Sequence, residues 1–176
     1  MAHNRTSALQ PIGRHLHLWT LCTVRSHLLL AHFLQHYAAE GVSLRRNAHV
    51  VLHDDFASAE TVQAARTVLN DAGVQDVSFQ AGVDAGALEG IKLKRLNAFI
   101  KDVLPANAWL IFADVDEFFT YPCNLLDQLK QKKMQASCSF MQDRITTAEK
   151  LPAVAAAPSI EEQFPLCAQA CPLPAR

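Results

Sequence analysis

The sequence predicts an α/β fold in which a mostly parallel sheet carries helices on both faces. Short apolar stretches rich in strand-forming residues alternate along the chain with segments whose apolar residues recur at helical spacing. An order of strand, helix and strand is typical of parallel sheets. The most hydrophobic stretch, WLIFA at 109–113, is apolar at every position, as strands covered on both faces commonly are.

The first half of the pattern begins with a strand over 16–24 (LHLWTLCTV) and a helix over 27–40. Gly41 directly follows that helix, at the position where a glycine commonly ends one. A short strand over 49–52 (HVVL) precedes a second helix over 58–72. Ser58 is the expected N-cap of this helix and Gly73 its stop, because serine accepts from free amides and glycine adopts a positive φ.

The second half of the pattern starts with a strand over 74–79 and a loop that contains Gly82, Gly86 and Gly90. A helix over 92–103 follows and stops before Pro105, because proline disrupts a helix interior. The apolar strand over 109–113 comes next, then a predicted helix over 124–133 and a predicted strand over 137–140. Prolines recur after residue 151, which indicates an extended, irregular tail with room for one short helix.

Length and composition place these elements in one domain. The chain has 176 residues, half of them hydrophobic, and a formal net charge of -1. We interpret residues 1–14 as a disordered segment, 15–150 as the folded domain, and 151–176 as an extended Pro/Ala-rich tail. The balanced charge indicates no strong attraction to nucleic acid, and no apolar run is long enough for a transmembrane segment. Five cysteines without a secretion signal argue against a closed disulfide framework.

Acidic residues follow the apolar strand in the segment Asp114-Val115-Asp116-Glu117-Phe118-Phe119. If strand geometry persists past 113, Asp114 and Asp116 point the same way, because residues two apart share a face. Clustered carboxylates repel one another unless a cation compensates them. Mg²⁺ or Mn²⁺ prefers such oxygen ligands and often shares them with substrate phosphates. The segment therefore predicts a divalent-metal and diphosphate site, with solvated or helix-capping acids as the alternative.

Other polar residues fall at the edge of the sheet where ligands of such folds bind. Asp54 and Asp55 follow the second strand, where they serve either to bind a nucleobase or ribose or simply to form a turn. Arg25 follows the first strand, and Lys94 lies with Lys92 and Arg95 near the start of the third helix. These cations are candidate phosphate contacts, with ordinary surface charge as the alternative.

With these residues assembled, the chain resembles glycosyltransferases of the family 2-like and family 92-like groups, which share the GT-A fold. The segment 114–118 is similar to the family's Asp-Val-Asp-Glu-Phe motif, and the resemblance runs from about Leu18 to Cys167. It also includes a Val-Arg turn after the first strand, where Ser26-His27 replaces the family's Asn-Glu. Further matching stretches are the helix end near His36, Gly41 and Val42, the segment 143–145 (DRI) and the segment 163–165 (QFP).

The resemblance implies a domain that binds a nucleotide-diphosphate sugar through Mn²⁺ or Mg²⁺ and transfers the sugar to a hydroxyl acceptor. It assigns Asp114 and Asp116 as metal and diphosphate ligands, supported by Glu117, and leaves Asp143 as a candidate for the base. Family domains continue into acceptor-binding segments, so the tail is interpreted as the start of a truncated acceptor region. Related enzymes often work in the Golgi or at other membranes behind an anchor.

Two other functions remain open on the sequence. A hydrophobic strand that ends in Asp-x-Asp also resembles the first motif of haloacid-dehalogenase-like phosphatases, in which Asp114 would be the nucleophile and Asp116 the general acid. That family usually places a small turn after the pair, whereas Glu117 and Phe118 follow here. The other alternative is a truncated fragment that binds the donor without transferring its sugar.

Overall fold

The structure, a computed structural model, describes residues 15–54, 56–82, 85–119, 142–145, 153–164 and 166–169. The predicted helix over 124–133 and the predicted strand over 137–140 lie outside these residues, as do residues 1–14. Four strands form one parallel sheet in the order β3-β2-β1-β4. Their bounds are Leu16–Thr23 for β1, Ala48–Asp54 for β2, Asp76–Ala81 for β3 and Trp109–Phe112 for β4. This confirms the α/β class and the parallel sheet.

Helices cover both faces of the sheet, as the alternation predicts. The helices α1 (His27–Ala39) and α3 (Ala59–Asp71) pack on one face, and the short α2 (Leu44–Asn47) leads into β2. Alternate strand residues such as Leu18, Val50 and Ile111 are buried in that layer. The other face carries α4 (Ala85–Asp102), whose Leu96 and Phe99 pack on Trp19, Leu21 and Val51. Successive strand residues therefore divide between two cores, because they point to opposite faces.

The predicted ends of the first two long helices are confirmed in detail. The Ser58 hydroxyl accepts from the Thr61 amide at 3.2 Å and so caps α3. Gly41 and Gly73 follow α1 and α3 with φ of 98° and 74°, values that favour glycine. Each closes its helix with an amide that donates to a carbonyl of the last turn. These ends were predictable because caps depend on local backbone chemistry.

The start of α4 differs from the prediction. The helix begins at Ala85, not near Lys92, so Gly86 and Gly90 lie inside it instead of in a loop. Two glycines each weaken a helix by about 1 kcal/mol relative to alanine. The residues between them are alanine, leucine and glutamate, which are strong helix formers. Leu88 also packs against the cluster that Leu96 and Phe99 form with the sheet, so this tertiary contact offsets the weak helical preference of the glycines.

The tail contains more regular structure than the sequence predicts. A helical turn, α5 (Ile160–Gln163), has a capping box in which Ser159 and Glu162 each accept from the other's amide. Strand β6 (Leu166–Gln169) pairs antiparallel with β5 (Gln142–Ile145) in a separate two-stranded sheet. The segment before β6 docks on α1, since His32 Nε2 lies 2.7 Å from the Ala155 carbonyl. Within the part of the chain that the structure describes, no helix is long and apolar enough to cross a membrane.

Candidate functional site

The order of the strands defines where a ligand is expected. From β1 the chain adds β2 and then β3 on one side, and it returns to the other side of β1 with β4. The order therefore reverses between β1 and β4. In open α/β sheets ligands bind outside the carboxyl ends of the strands at such a switch point. The acidic segment follows β4 directly, so it lies beside this point.

The carboxyl ends of β1 and β4 are not level. Phe112, the last residue of β4, pairs with Trp19, whereas β1 continues to Thr23 and is still paired there with His53 of β2. Four further residues of strand correspond to roughly 13 Å. The acidic segment thus leaves the sheet at the foot of a step, whose side is formed by the last residues of β1.

The segment that follows β4 is a turn and not a continued strand. The Glu117 amide donates to the Asp114 carbonyl at 2.9 Å, and the Asp114 amide donates to Glu117 Oε2 at 2.9 Å. Because the strand ends at Phe112, the two-residue alternation expected for Asp114 and Asp116 does not apply. Asp116 instead lies exposed in the turn. The Glu117 carboxylate stabilises the turn itself.

A buried lysine is the contact of Asp114. Lys92 of α4 is 7% exposed, and its Nζ lies 2.5 Å from Asp114 Oδ1. The same Nζ is 3.6 Å from Glu89 Oε1 and 5.1 Å from the centre of the Phe112 ring. Burial alone would lower the pKa of Lys92, but the hydrogen bond and charge of Asp114, aided by Glu89, raise it above its usual value. A fixed positive charge therefore lies beside the acidic turn.

Helix α1 holds the far end of the acidic turn. The Tyr37 hydroxyl donates to the Glu117 carbonyl at 3.0 Å and accepts from the Phe119 amide at 3.2 Å. His36 Nε2 lies 2.9 Å from the Phe119 carbonyl, and its ring packs edge-on against Phe118. Tyr37 is fully buried. The backbone after Glu117 is consequently fixed by side chains that lie 80 residues earlier in the chain.

The remaining predicted residues are placed unequally. Arg25 is exposed in the helical turn Val24–Ser26 that follows β1. Asp54 ends β2, and its Oδ1 accepts from the Ala57 amide at 2.8 Å, so part of its role is to form the turn. Asp55 lies outside the described residues. Lys94 is exposed on α4, about 200° around the helix from Lys92, so the structure does not bring it toward Asp114.

Asp143 lies in β5, opposite Ala168 of β6. Its suggested role as a base stays a prediction.

The structure thus unites Asp114, Asp116 and Glu117 in one turn, and places Arg25 and Asp54 at the ends of neighbouring strands. Lys92 joins the first group.

The acidic turn fits a cation only when a ligand completes the coordination. Across the described ranges, no three His, Cys, Asp or Glu side chains converge as a metal-binding group. Oδ1 of Asp114 is enclosed against Lys92, and Oε2 of Glu117 is used by an amide. Asp116 remains accessible. Mg²⁺ is commonly held by one or two carboxylates together with substrate phosphates, and these residues suit that arrangement better than a site formed by protein ligands alone.

Sequence reasoning missed the contacts that three residues make around the site. Lys92 stood among the candidate phosphate contacts, but its pairing with Asp114 depends on how α4 packs against β4. Tyr37 and His36 read only as residues of an amphipathic helix and of a matching helix end. A weak signal was present for Tyr37, because a fully buried tyrosine usually needs a partner for its hydroxyl.

Comparison of the chain with models of protein families, with curated proteins and with solved structures gave no match.

Proposed function

We propose that this protein is a metal-dependent glycosyltransferase that binds a nucleotide-diphosphate sugar and transfers the sugar to a hydroxyl acceptor. The proposal depends on one observation above all: an acidic turn, with a buried lysine paired to it, follows the strand that flanks the switch point of a parallel sheet. The likeness of residues 114–118 to the Asp-Val-Asp-Glu-Phe motif of glycosyltransferases supports the same function.

The residues around the turn have distinct roles in this proposal. Asp116, with Asp114, would hold Mn²⁺ or Mg²⁺ jointly with the diphosphate, and such a metal would supply positive charge to the leaving diphosphate. Glu117 closes the turn, so that the Asp116 carboxylate is presented in a fixed place. Lys92 adds a positive charge near the same phosphates. Preorganised charge of this kind costs no rearrangement during the reaction.

The neighbouring strand ends serve the nucleotide part of the donor. Arg25 follows β1 and is a candidate phosphate contact, while Asp54 at the end of β2 is a candidate contact to ribose or base. Oδ1 of Asp54 accepts from the Ala57 amide, and a carboxylate has about four lone-pair sites, so the group can accept from a ligand as well. Asp143 remains the proposed base for the acceptor hydroxyl.

The decisive experiment removes the accessible carboxylate. We expect Asp116→Asn to lose Mn²⁺-dependent binding of uridine and guanosine diphosphate sugars by at least roughly tenfold, because a neutral amide is a much weaker ligand for a hard cation. Calorimetry with and without Mn²⁺ measures the change. Asp71→Asn, an exposed acid of α3, is the matched control. Wild-type donor affinity in Asp116→Asn would contradict the proposal.

A second expectation follows from the incomplete set of protein ligands. Mn²⁺ alone should raise the melting temperature little, whereas Mn²⁺ with a nucleotide diphosphate should raise it by several degrees, since only the bound state gains stability by mass action. A transfer assay then distinguishes an active glycosyltransferase from a chain that only binds the donor. Donor binding without release of the sugar would identify a chain that binds the donor but does not transfer it.

A further inference from the structure

Phe56 combines two unusual properties. Its side chain is 81% exposed, and its backbone has a φ of 63°. Among the described residues it is the one non-glycine residue with a positive φ. Bulky residues rarely adopt this left-handed conformation, which glycine and asparagine adopt far more readily. The exposed ring gains little from burial in the folded state, so packing does not explain why a phenylalanine occupies this position.

The backbone around Phe56 is held on both sides. Oδ1 of Asp54 accepts from the Ala57 amide at 2.8 Å, and the Asp54 carbonyl accepts from the Gly82 amide at 3.2 Å. Ser58 then caps α3. These contacts hold the residues on either side of Phe56, while its ring is exposed. Strained residues that persist because their surroundings hold them are found preferentially at ligand sites.

Phe56 also lies at the edge of the sheet where the proposed donor binds. It follows β2, which neighbours β1, and the acidic turn follows β4 on the other side of β1. Strands β2 and β4 lie two strand spacings apart across the sheet, roughly 10 Å, and β2 also ends five residues further along than β4. The base and the diphosphate of an extended nucleotide are separated by a ribose, so the base can lie at the top of the step whose foot holds the diphosphate.

We propose that Phe56 is the platform on which the nucleobase of the donor stacks. The inference rests on the proposed function, because it places the base relative to a diphosphate at the acidic turn. An exposed aromatic face suits a planar heteroaromatic ring, and such stacking tolerates different bases. Asp54, two residues earlier, then lies beside the edge of the stacked base. The selectivity among bases therefore belongs to Asp54 and its neighbours, and Phe56 supplies affinity.

The test uses three proteins and three probes. The proteins are wild type, Phe56→Asn, which removes the ring but suits the backbone, and Phe56→Tyr, which keeps a ring. The probes are uridine diphosphate, guanosine diphosphate and inorganic pyrophosphate, each titrated with Mn²⁺ by calorimetry. We expect Phe56→Asn to weaken both nucleotides by roughly tenfold or more, to leave pyrophosphate within about twofold, and to melt no lower than wild type. Phe56→Tyr should restore nucleotide binding.

The outcomes separate the inference from the function on which it rests. Equal losses for pyrophosphate and nucleotides in Phe56→Asn, or no loss for any probe, would overturn the stacking role and leave the glycosyltransferase proposal standing. Wild-type protein that binds neither pyrophosphate nor nucleotide with Mn²⁺ would overturn both. A Phe56→Asn protein of wild-type melting temperature with a loss restricted to the nucleotides supports the inference.

Discussion

At the scale of single residues, the ion pair of Lys92 and Asp114 decides the electrostatics of the candidate site. An ammonium group that is largely removed from water needs a partner, and Asp114 Oδ1 at 2.5 Å provides it. The pair occupies Oδ1 of Asp114, whereas Asp116 lies exposed. One buried side chain thus distinguishes two aspartates that look equivalent in the sequence.

Removing that ammonium should be costly. We expect Lys92→Met to lower the free energy of unfolding by about 1–2 kcal/mol, less than for a fully buried pair, because Asp114 is 42% exposed. Since the folded pKa of Lys92 is raised, the pair stabilises the fold below its ordinary pKa of 10.5 and loses effect only as the pH rises above that value. Urea unfolding of Lys92→Met measures the loss, with exposed Lys101→Met as control.

At the scale of elements, α1 and the acidic turn behave as one unit. The Tyr37 hydroxyl satisfies a carbonyl and an amide of the segment after Glu117. We expect Tyr37→Phe to cost about 1–3 kcal/mol, because it leaves two backbone groups without that partner. The looser turn should also weaken Mn²⁺-dependent nucleotide binding. Denaturant unfolding and calorimetry test the two effects, and a variant that loses stability but binds as wild type would show that Tyr37 acts on the fold alone.

Gly90 offers a test of what a glycine inside helix α4 costs. A Cβ added at Gly90 meets no atom within 4 Å, and the residue is exposed and helical. Gly90→Ala should therefore raise the free energy of unfolding by about 0.5–1 kcal/mol, since alanine restricts the unfolded chain and favours the helix. Gly41→Ala is the matched control: it has equal space but a φ of 98°, so it should destabilise. Chemical denaturation measures the free energy of unfolding of both variants. Because neither new methyl group meets another atom, the difference between them reports backbone conformation alone.

At the scale of the whole molecule, a chain of polar side chains ties three strands together. His17 Nδ1 of β1 lies 3.0 Å from His49 Nε2 of β2, and His49 Nδ1 lies 2.5 Å from Asp76 Oδ2 of β3. The Asp76 carboxylate accepts, so His49 donates to it from Nδ1, and the other ring nitrogen of His49 shares a hydrogen bond with His17 Nδ1. The polar chain lies in the face that α4 covers, where Phe99 packs on His49.

Stability should consequently fall in mild acid. Burial above all, then the charges of His49 and His15, lowers the pKa of His17 below its ordinary value of 6.5. Below pH 6.5 His17 binds a proton more readily in the unfolded chain than in the folded chain. The free energy of unfolding is therefore greatest above pH 6.5 and declines as the pH drops below that value. We expect His17→Gln to lessen that decline. Guanidinium unfolding at about pH 7.5 and pH 5 measures both proteins, and an unchanged decline in the variant would exclude His17 as the cause.

The sequence by itself determined the features that depend on neighbouring residues. The alternation of strands and helices, the Ser58 cap, the glycines after α1 and α3, and the acidic segment after the apolar strand all follow from local periodicity and backbone chemistry. The interior glycines of α4 show the limit of such reasoning, because packing of Leu88 outweighed a weak local preference.

Only the tertiary structure decided the order of the strands, and with it the switch point beside the acidic turn. It also decided that Lys92 meets Asp114, that Tyr37 holds the segment after Glu117, and that His17, His49 and Asp76 connect across three strands. These contacts join residues that are 22 to 80 positions apart in the sequence. They form because each helix or strand buries one particular face. The physical reason is that the packing of the whole core determines which side of each helix or strand is buried. No single segment of the sequence specifies that packing.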